Sequence, residues 1–337
     1  MMAKRSDPRC AAAEQEDRYV GHNTLHLAGP VSDSERLHTP IVVSLIRDAE
    51  IYIDAFVHHY RSLGCRRIIM LDNGSSDRTV EKVRAYPEVT LLHCSLPFDL
   101  YKRAMRRYLI RSYCKGAWCL CVDVDEFFDY PESRCVGLDH FIAYLERYRF
   151  SAVVAQMLDM FPERLVRMPD SEDLLFRQCH RLFDVAHIEP RPYLVPGNHV
   201  ADPRVQMYYG GIRAAVFGFK PWLTKHPLFY CNEEVLPFLE DSHRVEQARV
   251  ADVTSVLYHY KFAGDFHCRV ERAVREENYY HGSHEYKCYS AVLQMRPSVE
   301  LRQPTSQVLD DPEILLNNGF LVASDAYKRF TSHLYRT

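Results

Sequence analysis

Residues 119 to 131 read CLCVDVDEFFDYP, an apolar strand-like run that passes abruptly into carboxylates. Asp123, Asp125, Glu126 and Asp129 fall within seven positions, directly behind the buried-looking Cys119, Leu120, Cys121 and Val122. Crowded carboxylates repel one another and raise each other's pKa unless positive charge sits among them. What supplies that charge decides how this stretch is to be read.

Upstream, the chain alternates between two hydrophobic periods. TPIVVSLI (39–46), RRIIML (66–71), VTLLHC (89–94) and AWCLCV (117–122) are short β-rich runs. Between the first two, Ile53, Phe56, Tyr60 and Leu63 recur at helical spacing, with Gly64 as a stop and Asp48 placed as the N-cap. The polar turn DNGSSDRT (72–79) leads into a helix that Asp77 can cap. Leu100 to Lys115 is helical, with Tyr101, Met105, Tyr108 and Leu109 on one face; Lys102, Arg103, Arg106, Arg107 and Arg111 read as a solvated basic face. Strand and helix in strict alternation predict an α/β unit with a largely parallel sheet.

Beyond residue 131 the pattern loosens. SAVVAQM (151–157) and TSVLYHYKF (254–262) read as strands, and frequent prolines and aromatics between about 161 and 238 suggest strands and loops around a cleft. GDFHCRVERAVREENYY (264–280) and HEYKCYSAVLQM (284–295) are helical. Residues 1–38 are expected to be a mobile tail and 299–337 a loosely packed C-terminal tail. The folded domain is then 39–298, with its halves divided between 131 and 132.

The 337 residues are 47% hydrophobic and 26% charged, an ordinary globular composition long enough to bury a large core. A net charge of -3 argues against non-specific nucleic-acid binding, and no apolar run approaches the ~18 residues of a membrane span. The eleven cysteines are scattered through predicted strands and helices, and Cys114, Cys119 and Cys121 lack the paired spacing of structural zinc sites. They are read as reduced core thiols, which sets the expectation of a soluble cytoplasmic protein.

In a parallel α/β sheet, ligands bind beyond the carboxyl ends of the strands. The first such turn here, RDAE (47–50), has no glycine to let a backbone approach a pyrophosphate, and no G-x-x-x-x-G-K-[ST] loop occurs. A nucleotide diphosphate at this edge needs another means of neutralisation. A magnesium or manganese ion held by carboxylates provides one.

IVVSLIRDAEIYIDAFVHHYRSLGCRRIIMLDNGSSDRT followed by CLCVDVDEFF resembles the GT-A glycosyltransferases, in particular family-two-like members related to the family 92 group. The likeness covers about residues 39–131 and continues thinly, through GGIRAAVFG, LED and VLYHYKF, to about 280. It implies a GT-A fold with a mostly parallel sheet and C-terminal helices. The implied activity is metal-dependent transfer of a sugar, with inversion, from a nucleotide-diphosphate donor to the hydroxyl of a glycan or other acceptor. Asp123 and Asp125 would hold Mn²⁺ or Mg²⁺ and the donor, and His259 or His243 would complete the metal shell. Asp72, Arg47 and Asp48 match nucleoside-facing positions; for Asp72 the strand-end place favours a ligand contact over a turn residue, whereas Asp48 reads equally as a cap. Gly210–Arg213 looks like a glycine loop closing over the donor, with Arg213 and Lys225 available to the departing diphosphate. Asp241, beside Glu240, is the expected base toward the acceptor, with Asp159 as the outside candidate. Two other readings are open. A haloacid-dehalogenase-like phosphohydrolase expects Thr or Val where Phe127 stands, and a non-catalytic glycan- or partner-binding protein has no need to tolerate the repulsion of Asp123 and Asp125.

Overall fold

The computed structural model describes residues 8–31, 39–166, 176–232, 244–277, 280–296 and 298–334. The predicted alternation forms β2 (Ile41–Ile46), α2 (Glu50–Ser62), β3 (Arg67–Asp72), α3 (Thr79–Arg84), β4 (Val89–Cys94), α4 (Phe98–Tyr113) and β5 (Trp118–Cys121). After β6 (Glu126–Asp129), α5 (Leu138–Arg147) and β7 (Ala152–Asp159), the strands Thr224–Tyr230 and Ser255–His259 complete the centre of an 11-stranded mixed sheet. Helices flank it, so the chain is an α/β protein.

The register fixes direction. β3 pairs in parallel with β2 and β4, and β2 with β5. The Thr224–Tyr230 strand runs antiparallel to both β5 and β7, and Ser255–His259 runs parallel to β7 and antiparallel to β6. One edge of the sheet therefore collects the ends of β2, β3, β5, β7 and Ser255–His259 together with the starts of β6 and Thr224–Tyr230.

Both faces of the sheet are covered. One packs Val42, Met70 and Leu120 against Ile53, Phe56, Val57 and Tyr60 of α2; the other packs Val43, Ile69, Leu71 and Cys119 against Met105, Leu109 and Ile110 of α4. Burial on both sides explains the continuous apolar runs of β2–β5. Each fully buried side chain of this size contributes about 1.5–3 kcal/mol. Cys94, Cys114, Cys119, Cys121 and Cys231 share the second face as free thiols.

Both expected tails contain packed structure. α1 (Pro8–His22) lies on α4, and β1 (Thr24–Ala28) pairs antiparallel with β4 at the sheet edge. Both apolar contact and charge pairing attach α1: Val20 is fully buried in the cluster with Met105, Leu109 and Ile110, and Tyr19 packs on Tyr101. Buried Asp17 accepts from Arg107 Nε at 3.0 Å and Arg111 Nη1 at 2.6 Å, so the face of α4 read as solvated is partly an internal one. At the other terminus, Tyr327 of the last helix (Asp325–Leu334) is fully buried against Phe141 and Tyr144, and its hydroxyl donates to the Pro131 carbonyl at 2.7 Å.

Asp48 does not cap α2. It takes a left-handed φ of 46°, and the amides of Asp48, Ala49 and Glu50 donate to Ser75 Oγ, Thr79 Oγ1 and Asp77 Oδ2 at 2.9, 2.7 and 3.1 Å. The DNGSSDRT turn thus supplies the capping acceptors of the preceding helix.

At the far end of α2, half-buried His59 hydrogen-bonds through Nε2 to the Phe128 carbonyl at 2.8 Å. Burial, reinforced by the Arg177 guanidinium, lowers its pKa from 6.5 to about 4. Between those values the unfolded chain binds the proton that the folded chain refuses, so His59 stabilises the fold above about 6.5 and this contribution is lost as pH falls through about 4. His59→Gln is expected to flatten that part of the stability–pH curve, as measured by urea unfolding between pH 7 and pH 4. An unchanged slope would contradict the assignment.

Candidate active site

The edge defined by the register gathers Arg47, Asp48, Asp72, Asp123, Asp125, Glu126, Asp159, Lys225 and His259 from seven strands and the turns beside them. The Thr224–Tyr230 strand pairs with β5 at Leu228 and Leu120 and, beyond an irregularity between Leu228 and Lys225, brings Lys225 to Asp123. Two of the groups, Lys225 and His259, come from more than 150 residues downstream of β3, and strand direction brings them to Asp72's edge.

Positive charge does sit among the carboxylates. Asp123 pairs with Arg106 of α4 through Oδ1 and with Lys225 through Oδ2, the latter at 3.0 Å. Lys225, only 2% exposed at its side chain, also reaches Glu126 at 2.6 Å. Burial would raise the pKa of Asp123, but Arg106, Lys225 and Lys102 hold it well below the carboxylate range. Arg106 was not a specific candidate from the sequence. Its position next to Met105 and three residues before Leu109 marks the flank of the buried helix face, and its own burial agrees.

The second carboxylate has a different partner. Asp125 Oδ2 lies 3.4 Å from His259 Nε2, while His259 Nδ1 donates to Asp159 Oδ1 at 2.6 Å. Asp159 also accepts from Arg213 Nε at 2.8 Å, and Arg213 Nη1 reaches Glu285 of α9 (Tyr280–Met295) at 3.2 Å. Burial works against charge on the His259 ring, but Asp125 and Asp159 outweigh it and raise its pKa to about 9. Asp125 is pushed down to about 2, chiefly by His259 against its own burial. His259 and Asp159 occupy paired positions on neighbouring parallel strands 100 residues apart, a register that spacing along the chain does not reveal.

Several expected roles change with these contacts. Asp72 is 1% exposed, and its oxygens accept from Gly74 N, Ser75 N, Ser75 Oγ and His93 Nδ1. They are consumed by its own turn, so Asp72 is a turn residue and not an open nucleoside acceptor. Asp48 accepts from Ser76 N at 2.7 Å and from Arg272 of α8 (Phe266–Glu276) at 2.6 Å. Arg47, by contrast, is exposed and has no acidic partner among the described residues, leaving a free cation at the centre of the edge.

Gly210 and Gly211 form a sharp turn into α7 (Ile212–Phe217), at φ 93° and 70°. A Cβ at Gly210 would come within 2.9 Å of the His187 carbonyl oxygen. This turn is packed structure, and Arg213 is buried in the Asp159–Glu285 pairing rather than free to meet a ligand. That pairing also removes Asp159 as an acceptor-facing base. Glu240, Asp241 and His243 lie outside the described residues.

For a divalent cation, Asp125 and His259 fit and Asp123 does not. Asp125 faces His259 Nε2, and Asp159 fixes the tautomer from the other ring nitrogen, the outer-shell arrangement common to metal-binding histidines. Both oxygens of Asp123 are instead held by Arg106 and Lys225, which corrects its expected role as a direct ligand. Among the described residues no three His, Cys, Asp or Glu side chains form a ready-made cage. That is compatible with magnesium-type ions, which keep waters and bind through one or two protein groups plus substrate phosphates.

The chain matches no family model and no curated protein. No described helix is long and apolar enough to cross a membrane.

Proposed function

We propose that the chain is a glycosyltransferase of the GT-A kind, moving a sugar from a nucleotide-diphosphate donor to an acceptor hydroxyl with inversion. The observation that carries this reading is the pairing of Asp125 with an Asp159-oriented His259, next to an Asp123 backed by Arg106 and Lys225, at the ligand-binding edge of the sheet. Asp125 and His259 would hold Mn²⁺ or Mg²⁺, which supplies charge neutralisation on the diphosphate when bound. Arg47 is placed to meet a phosphate or the base. Arg106 and Lys225 keep Asp123 ionised and fixed, so that one carboxylate faces the donor in a single orientation. A base must reach the acceptor hydroxyl on the side opposite the leaving group. With Asp159 sequestered, Asp241 and Glu240 remain the candidates for that role, while His243 loses weight because His259 already faces Asp125.

The phosphohydrolase reading is less well supported, since both oxygens of Asp123 are occupied by cations and its strand is not the first of the sheet. The test is incubation with a panel of nucleotide sugars and Mn²⁺, following release of the nucleoside diphosphate by chromatography. Release from one donor, abolished by chelation, is expected. Release of inorganic phosphate from simple phosphomonoesters, with every sugar nucleotide left intact, would overturn the proposal.

A further inference from the structure

The strands β6 and Ser255–His259 have two faces, and only one belongs to the site above. Alternation sends Glu126 and His259 toward Lys225 and Asp159. It sends Phe127, Asp129 and Tyr258 to the reverse side, where Tyr260 continues the series. There Asp129, Tyr258 and Tyr260 line an open cavity of about 870 Å³ flanked by α6 (Phe176–Cys179) and the segment around Leu309–Asp310. That volume lies within the range of small-molecule sites.

Three arginines, Arg134, Arg177 and Arg181, border this cavity. Two are held by the C-terminal segment: Arg181 pairs with Asp310, and Arg134 lies 3.5 Å from Asp311 and donates to the Asp310 carbonyl at 3.2 Å. Arg177 differs. Its guanidinium sits 4.9 Å over the Phe127 ring, beside Tyr260 in the cavity wall, and among the described residues it has no carboxylate partner. A ring beneath a guanidinium orients it without neutralising it. The nearby Asp129 is committed elsewhere, accepting from Tyr130 N at 2.9 Å. Among the described residues the cavity therefore offers an oriented fork of donors that no carboxylate neutralises, the geometry that receives a phosphate or carboxylate in bidentate fashion.

We propose that this cavity, on the opposite face of β6 and Ser255–His259 from the candidate active site, binds a small oxyanion-bearing metabolite through Arg177. The site stands independently of the transferase reading, because it shares no side chain with the acidic edge.

Titration calorimetry on the full chain in EDTA at constant ionic strength tests it, with inorganic phosphate and succinate as separate probes for the two oxyanion classes. At least one probe is expected to bind the wild-type protein. Arg177→Gln should weaken that binding about tenfold, the loss expected for one charge-assisted bidentate contact. Arg177→Lys, which keeps the charge and loses the fork, should fall between. Arg84→Gln, on the exposed face of α3 and outside both sites, should leave it unchanged, and because Arg177 is exposed its variants should retain the wild-type melting temperature. Failure of both probes to bind, equal binding by Arg177→Gln, or loss caused by Arg84→Gln would each overturn the proposal.

Discussion

Lys225→Met is expected to destabilise the protein by about 3–5 kcal/mol, the cost of removing one partner from a buried ion pair. Lys225 and Glu126 are 2% and 1% exposed at their side chains, and Lys225 also holds Asp123. Without the ammonium, Glu126 loses its one close cation among the described residues, and Asp123 keeps Arg106 but faces Glu126 without the charge between them. The measurement is urea unfolding, read as a shift in midpoint at constant slope. Adding Glu126→Gln to the Lys225→Met chain should recover part of the loss, because the stranded charge is then gone. A loss below about 1 kcal/mol would mean that the cluster is far wetter than its burial indicates, within the range of surface pairs.

The second large effect belongs to Asp125→Asn. If Asp125 and His259 hold the cation, the neutral amide should lower Mn²⁺-dependent donor affinity by more than about a hundredfold, since even outer-shell partners at metal sites carry 10–100-fold. The fold should survive, because Asp125 lies in a turn with its side chain 23% exposed and His259 keeps Asp159 as its other carboxylate. Calorimetric titration of Mn²⁺ in the presence of the nucleoside diphosphate separates these effects. Unchanged manganese affinity in a folded variant would remove Asp125 from the metal site.

These predictions rest on contacts of unequal legibility. Strands β2 to β5 and their acidic ends could be read directly, because burial on both faces leaves unbroken apolar runs and the carboxylates stand where those runs stop. The sign of the compensating charge could not. Arg106 is hidden in a helix whose basic residues look solvated, and Lys225 arrives on an antiparallel strand a hundred residues later. The link between His259 and Asp159 is likewise a matter of register between two strands, each apolar and unremarkable by itself.

Asp72 illustrates the opposite error. Its place at a strand end suggested a ligand contact, but Asn-Gly and Ser-Ser after it favour a turn that takes up all its lone pairs. The terminal segments were underestimated for another reason. α1 is docked through Val20 and Tyr19 together with Asp17, Arg107 and Arg111, too few apolar positions to show as a periodic stripe.

The central claim is that this strand edge binds a nucleotide-diphosphate sugar with the help of a divalent cation. Its most direct test is the melting temperature of the wild-type chain against a panel of nucleotide sugars, each with Mn²⁺ and with EDTA. A ligand bound only by the folded state at a hundred times its Kd adds about 2.7 kcal/mol, enough to single out one nucleotide from the panel. The expected result is a clear rise for one donor class that disappears in EDTA and in Asp125→Asn. A flat response to every donor with Mn²⁺, or a rise that is identical in EDTA, would contradict it.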